Sequence, residues 1–253
     1  MPRMLSGDEE PWPQRLLTLL DAGALPPGMP HPCSYFADRI ARSRAFAAES
    51  LPGDIYQGLM DRGFRRAGQV FYAMACPSCQ ACVPMRVPVA GFRPSRSQRR
   101  AQQRNRDVRL QVTAPVFSDA KYDLYQRYVA FQHPDRGGAE PPEQFRSWLY
   151  DPVVPTLEAT YWLGEELVAA TILDITPSAV SSVYHYFEPR QAHRSLGVYS
   201  VLAEIEWTAA SGRPYYYLGF WIEGCPTMHY KARYQPNELL LDGRWQLAAP
   251  REA

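Results

Sequence analysis

The 253-residue chain has no uninterrupted run of about 18 apolar residues, so no membrane-spanning helix is expected. Its opening, MPRMLSGDEEPWPQ, puts acids and prolines where a secretory leader needs an apolar stretch. A cytoplasmic address and no membrane partner are therefore the expectation. Lysine is nearly missing: of 27 basic residues only Lys121 and Lys231 are lysines, and the rest are arginines. A genome rich in G and C would give that bias, and so would selection for bidentate phosphate and carboxylate contacts. The net charge of only +1 excludes a surface coated in positive charge, so a polyanionic partner would have to meet a local patch. The five cysteines, Cys33, Cys76, Cys79, Cys82 and Cys225, form no disulfide framework in a reducing compartment. No internal repeat and no low-complexity tract is present. What remains, 46% hydrophobic and 21% charged, is ordinary globular composition with enough chain for a proper core.

The patterning divides the chain into three stretches. Residues 1–32 are proline-rich, with one leucine cluster around Leu16 to Leu20, and read as an arm on the body. Residues 33–110 form a smaller cysteine-containing and arginine-rich region. Ile55, Leu59 and Met60 share a face of a helix over 54–62. A glycine-punctuated turn (63–68), strands over 69–75 and 83–89, and a helix capped by Ser95 with Gln98 three residues on complete it. Residues 111–253 have an α+β rhythm. A helix over 118–131 and a loop over 133–143 precede a hairpin (156–163 and 167–175) around Gly164-Glu165-Glu166, and then a strand over 179–188. After a loop, Val198, Val201, Leu202, Ile205 and Ala209 fall on one face of a helix that stops at Gly212. An apolar strand over 214–222, a short helix and one last strand over 238–245 close the chain.

Four constellations carry chemistry. Cys76-Pro-Ser-Cys79-Gln-Ala-Cys82 is two overlapping C-x-x-C units, able to converge on a metal or cluster with Cys33 as fourth ligand, or else three idle, half-hydrophobic thiols. The helix after Ser95 presents Arg96, Arg99, Arg100 and Arg104 on one side near its start, a phosphate-tracking face without sequence readout. Its bland counterpart is a solvated helix. The junction Arg190, His193, Arg194, Ser195, Gly197 ahead of a helix is an anion site in outline, where acetyltransferases of the GNAT class hold a pyrophosphate. Only Gly197 remains of the usual glycine-rich signature. Last, the central strand at 215–221 contains Gly219, a residue that in a strand marks close approach by another group. Beyond it His229-Tyr230-Lys231-Ala-Arg233-Tyr234 collects titratable groups.

Longer blocks resemble a known family. HPCSYFADRIARS (31–43), GFRRAG (63–68), CPSCQACVPMRVPV (76–89) and FRPSRSQRR (92–100) are similar to the N-terminal region of aminoacyl-tRNA–protein transferases. SSVYHYFEP (181–189), SLGVYSVLAEIE (195–206), YYYLGFWIEGC (215–225) and MHYKARYQPNELLLDGRW (228–245) resemble their C-terminal region. Tyr35-Phe36-Ala37 stands where the family often reads tyrosine-leucine-proline. The family includes eukaryotic arginyltransferases and bacterial aspartate/glutamate leucyltransferases, and the compact length and the CPSCQACVP block look bacterial. The resemblance implies a GNAT-like acyltransferase domain in the C-terminal half and transfer of leucine from Leu-tRNA to proteins with N-terminal Asp or Glu, the acceptors of a degradation signal. It also puts Cys33, Cys76, Cys79 and Cys82 forward as ligands of an iron–sulfur cluster or zinc.

That reaction is aminolysis of an activated ester, so the transfer itself needs no cofactor. It needs a neutral α-amine, whose unperturbed pKa is about 7.7–8.0, donors for the oxyanion, and positioning of both substrates. On that basis Asp174, Tyr184 and Tyr230 are the candidate catalytic groups, as base and hydrogen-bond donors. Arg65, Arg66, Lys231 and Arg233 are candidates for the acceptor's acidic side chain. Arg96, Arg99, Arg100, Arg104, Arg190 and Arg194 are candidates for tRNA phosphates. Competing expectations are an arginyl-tRNA donor, a CoA-dependent N-acetyltransferase, and a non-catalytic tRNA-binding protein.

Overall fold

The computed structural model describes residues 12–249, so residues 1–11 of the expected N-terminal arm lie outside the described part. Helix α1 (Gln14–Asp21) is the leucine cluster. A two-stranded ribbon of β1 (His31–Pro32) and β2 (Ile40–Ala41) follows. Strand β3 (Ser43–Ala47), helix α2 (Gly53–Asp61), strands β4 (Arg65–Ala67) and β5 (Val70–Met74), strand β6 (Val83–Pro88) and helix α3 (Arg96–Arg104) complete the first stretch. Next come β7 (Val108–Thr113), α4 (Asp119–Gln132), α5 (Pro142–Leu149), β8 (Thr156–Leu163), β9 (Glu166–Ile175) and β10 (Ala179–Phe187). The chain finishes with α6 (Leu196–Ala210), β11 (Tyr215–Trp221), α7 (Pro226–His229), β12 (Glu238–Leu241) and β13 (Arg244–Leu247).

Eight strands form one sheet in the order β13-β12-β6-β11-β10-β9-β8-β7, and β3-β5-β4 form a small second sheet. Every pair in the large sheet is antiparallel except β10 with β11, which α6 joins as a crossover. The division expected after residue 110 does not follow the sheet. Strand β6 of the first stretch hydrogen-bonds both β11 and β12, and β7, which straddles residue 110, pairs with β8 in the same sheet.

Alternation along β9 shows how the sheet is covered. Ala169, Leu173 and Ile175 join the core beneath α6, while Ala170 and Ile172 join the aromatic core beneath α4 and α5. Both faces are buried, which is why β9 reads as a continuous apolar run. Helix α6 is itself covered by α3, and α3 docks through Gln98, Ala101 and Asn105, spaced to fall on one helical face. Gln102 Nε2 donates to Glu206 (2.9 Å), and Asn105 Nδ2 to the Arg194 carbonyl (2.8 Å). A helix polar throughout is thus held by amide side chains, leaving its arginines outward. The small sheet and α2 share a further core with Tyr217 and Ala179, and Arg86 ties β6 to Glu238 (2.7 Å) and to the Tyr217 hydroxyl (3.0 Å).

Three expectations change. The loop over 133–143 is shorter, because Pro142 begins α5; Phe145 and Leu149 bury against α4 one helical turn apart. Residues Pro189–Arg194 form a 3-10 turn rather than an open loop. The last strand is a hairpin, since Asp242 (φ 50°) and Gly243 (φ 73°) supply the two left-handed residues of a tight turn.

Candidate active site between two diverging strands

Strands β10 and β11 pair in parallel only at Ala179–Tyr215, Val180–Tyr216 and Ser181–Tyr217. Both strands continue, β10 along β9 and β11 along β6, and each carries an irregularity at the point of parting. The shifts lie between Ser182 and Tyr184 on β10 and between Tyr217 and Gly219 on β11. A gap therefore opens in the middle of a buried sheet, edged by backbone groups that have lost their strand partners. Buried groups of that kind must find donors elsewhere.

Two basic side chains supply them. Arg65 Nη2 donates to the Ser182 carbonyl (3.2 Å), and Lys231 Nζ donates to the Phe220 carbonyl (3.0 Å). One clasps the β10 side of the gap and the other the β11 side. Arg65 reaches its place across Gly219, whose φ of +82° and missing side chain make room. A Cβ there would lie 1.2 Å from Arg65 Nη1. The Arg65 guanidinium also stands 5.5 Å from the Phe220 ring centre. Burial, and after it the Arg65 charge, bring the Lys231 pKa down to about 7. Tyr230 is 37% exposed as a residue, yet desolvation of its hydroxyl, followed by the Glu204 charge, raises its pKa.

The sequence candidates separate on this geometry. Arg65 and Lys231 come together at the gap. Arg66 does not, because neighbours on a strand face opposite ways. Its guanidinium grips Asp174 with two hydrogen bonds (2.8 and 2.6 Å), and Thr156 Oγ1 adds a third (2.9 Å). Both charged side chains are buried, at 1% and 0% exposure. This corrects the expected roles: Asp174 is no accessible base and Arg66 no acceptor site, and the pair ties the small sheet to β9. Arg233 is exposed, and its carbonyl accepts from Gln98 Nε2 (3.2 Å). Tyr184 stands just past the β10 irregularity with its ring 4.7 Å from Trp148 in the aromatic core, away from Tyr230. His185, next along, donates or accepts through Nδ1 with Thr171 (2.8 Å), and burial lowers its pKa to about 4.

The basic residues form one surface. The C-terminal end of α3 lies on the 189–194 turn: Arg104 Nη1 donates to the His193 carbonyl and Arg194 to Asp107 (2.8 Å). Arg96, Arg99 and Arg100 are exposed beside them. Arg190 is different. It pairs with Glu188 (2.9 Å) and Glu166 (3.1 Å), and its hydrogen bonds are the first cause holding Glu188 down at about 2. Glu188 also accepts the Arg190 backbone N–H (3.2 Å). The Glu188 carboxylate thus already occupies the Arg190 donors at this junction, and Ser195 enters α6 with φ 58° and no side-chain cap.

On the far side of Phe220 lies the cysteine region. Phe220, Ile222 and Cys225 pack with Tyr35, Phe36, Tyr72 and Cys82. Cys33, Cys76, Cys79 and Cys82 line one open cavity of ≈ 530 Å³. Among the described residues no three His, Cys, Asp or Glu side chains stand together in a manner suited to one metal ion. Backbone N–H groups reach Cys33 (3.4 Å) and Cys76 (3.5 Å), and Arg39 reaches Cys79 (3.3 Å). A backbone hydrogen bond at Ala81, with Arg39 adding to it, lowers the Cys79 pKa, whereas burial pushes the Cys82 thiol up to about 12.

Sequence reasoning put Arg65 and Lys231 forward but missed the carbonyls of Ser182 and Phe220 that define the gap. Only Gly219, a glycine inside an aromatic strand, signalled it.

Residues 31–100 match the family described as "Arginine-tRNA-protein transferase, N terminus", and residues 120–241 match "Arginine-tRNA-protein transferase, C terminus". The aspartate/glutamate leucyltransferase of Saccharophagus degradans is 40% identical over 220 residues, which covers 85% of this chain and 93% of that protein. The protein of the same name from Pseudomonas fluorescens is also 40% identical with the same coverage. Among solved structures, FemX aligns over 67% of this chain and 60% of its own (TM-score 0.45, 8% identity). L-PGS from Bacillus licheniformis aligns over 85% and 77% (TM-score 0.42, 14% identity).

Proposed function

This chain belongs to the arginine-tRNA-protein transferase family, and from that premise we propose that it moves leucine from Leu-tRNA to the N-terminal aspartate or glutamate of acceptor proteins. The observation that carries the reading is the close similarity, over nearly the whole length of both proteins, to aspartate/glutamate leucyltransferases. The gap between β10 and β11 supplies what the chemistry needs. It offers an interrupted sheet, a permanent cation in Arg65, and the buried amine of Lys231 opposite it. Arg65 is the group that meets the acceptor's carboxylate, since a guanidinium keeps its charge at any working pH. Tyr230, beside Lys231, is placed to donate toward the oxyanion. The α3 face and the adjoining turn take the tRNA phosphates through Arg96, Arg99, Arg100 and Arg104, none of which has a carboxylate partner among the described residues.

Two finer parts belong with this proposal. A parallel strand pair that parts after three residues, joined by one crossover helix, supports a GNAT-like arrangement of the C-terminal half. Four cysteines lining one open cavity support a site for an iron–sulfur cluster or zinc. Its chemistry would be structural, and Cys33, Cys76, Cys79 and Cys82 would hold it. Iron, sulfide and zinc analysis of anaerobically purified protein checks that assignment.

Labelled leucine and labelled arginine, each on its charged tRNA, should be offered with peptides beginning in Asp, Glu or Ala. Leucine on the Asp and Glu peptides alone is expected. Arginine transfer would change the donor within the family, and transfer of neither would remove the enzymatic reading. The Glu188 carboxylate across the anion junction predicts no CoA binding in a parallel titration.

A further inference from the structure

We propose that Lys231 acts as a neutral amine that carries a proton from the attacking nitrogen of the acceptor to the leaving ribose oxygen. The proposal rests on the transfer reading above and gives this lysine a role that a fixed cation could not fill.

The geometry sets its charge state. Lys231 is 7% exposed, and its amine donates to the Phe220 carbonyl (3.0 Å). Among the described residues no carboxylate lies within ion-pair distance of it, whereas the chain's other lysine, Lys121, pairs with Glu158. The charged or titratable groups that face it are the Arg65 guanidinium from β4 and the Cys225 thiol ahead of α7, with Tyr230 and Arg233 beside it on its own turn. A buried ammonium next to a guanidinium, with no anion to offset it, is the costly form, and loss of the proton removes the cost. Burial and Arg65 together bring its pKa near neutrality.

Its place then fits the chemistry. Phe220 lies on β11 beyond the point where the strands part, so the amine sits on one side of the gap and Arg65 on the other. With one N–H engaged by the carbonyl, a neutral lysine keeps a lone pair to accept a proton and further N–H to return one. The acceptor's neutral α-amine attacks the ester carbonyl carbon, and the new N–C bond leaves a proton in excess on nitrogen. Lys231 takes that proton. As the tetrahedral centre collapses, the C–O bond to the ribose breaks and the Lys231 ammonium protonates the departing oxygen. An amide and a ribose hydroxyl result, and the lysine returns neutral. Other candidates for this task are engaged: Asp174 is locked to Arg66, and His185 is bound to Thr171.

The two-lysine composition gives a direct test. Protein labelled with [ε-13C]lysine should show two side-chain resonances, one of them titrating near neutrality and absent from Lys231→Arg. Cys225→Ala should leave that titration in place. In single-turnover leucine transfer to an Asp peptide, Lys231→Met and Lys231→Arg should lower the transfer rate about 100-fold. The KM for the peptide should stay unchanged, the pH profile should lose the Lys231 inflection and keep only the rise that follows the acceptor amine, and added ethylamine should restore part of the rate. Thermal melts and tRNA binding confirm that the variants are folded. A Lys231 resonance titrating near about 10.4, the ordinary lysine value, would overturn the proposal. So would a Lys231→Met variant that raises only the peptide KM, which is the behaviour of a counter-ion, or a Lys231→Arg variant with full rate. Failure of the wild-type protein to transfer any amino acid would instead overturn the function on which the proposal rests.

Discussion

At the scale of single residues, adjacent arginines do different work because a strand turns them opposite ways. Arg65 faces the gap, and Arg66 faces Asp174. Removing one member of the buried pair, as in Arg66→Met, leaves an uncompensated charge and should cost about 3–5 kcal/mol. Urea denaturation measures that loss, while transfer per folded molecule should not change. Gly219 is the residue that gives Arg65 its path. Gly219→Ala adds a positive-φ cost of about 1 kcal/mol and a collision with Arg65, so a lower melting temperature and at least a tenfold loss of transfer are expected. Glu188 has its folded pKa depressed to about 2, first by the Arg190 hydrogen bonds. Its contribution is therefore full above the unfolded value of about 4.3 and lost as pH falls toward 2. Arg190 is 72% exposed, so solvent screening keeps the effect small. Glu188→Gln should flatten the stability profile between those pH values, as denaturation at pH 7 and pH 3 would show.

At the scale of elements, α3 shows what a sequence does and does not disclose. Its start was legible from Ser95 and Gln98, and both reciprocal hydrogen bonds are present, with Gln98 N–H on Ser95 Oγ at 3.3 Å and Ser95 N–H on Gln98 Oε1 at 2.8 Å. Its outward arginines were legible too, because they recur at helical spacing. Its inner face was not, since Gln98 and Asn105 are amides that carry no hydrophobic signal. The hairpin β8–β9 and helix α6 were readable from apolar periodicity and turn residues. The β12–β13 turn was missed although Asp242-Gly243 is a hairpin signal, and α5 was hidden behind Pro141-Pro142, which looked like loop. The gap itself could not be read, because it is made of backbone carbonyls brought together by strands far apart in sequence. If the exposed arginines track phosphates, the double variant Arg96→Ala, Arg100→Ala should weaken tRNA binding about equally for all tRNAs. The slope of log K against log salt should fall by roughly 1–2. An unchanged slope would move the tRNA surface elsewhere.

At the scale of the molecule, one large sheet joins segments from both ends of the chain. Strand β6 from the cysteine region borders β11, and β12 from the C-terminal end borders β6. The cysteine cavity, the aromatic wall at Phe220 and the gap are consequently neighbours across a few residues. No described helix is long and apolar enough to cross a membrane. On the proposed reading, the surface for a polyanion and the cleft for an amine share one body, as transfer between two macromolecules requires.

The central claim is that leucine passes to an acidic N-terminus in the gap that Arg65 edges. The most direct measurement is single-turnover transfer of leucine from Leu-tRNA to an Asp-initiated peptide, by the wild-type protein and by Arg65→Ala side by side. The account predicts transfer by the wild type, about a 100-fold loss in Arg65→Ala with tRNA binding kept, and no gain from a higher tRNA concentration. Transfer at the wild-type rate by Arg65→Ala would place the reaction outside this gap and contradict the account.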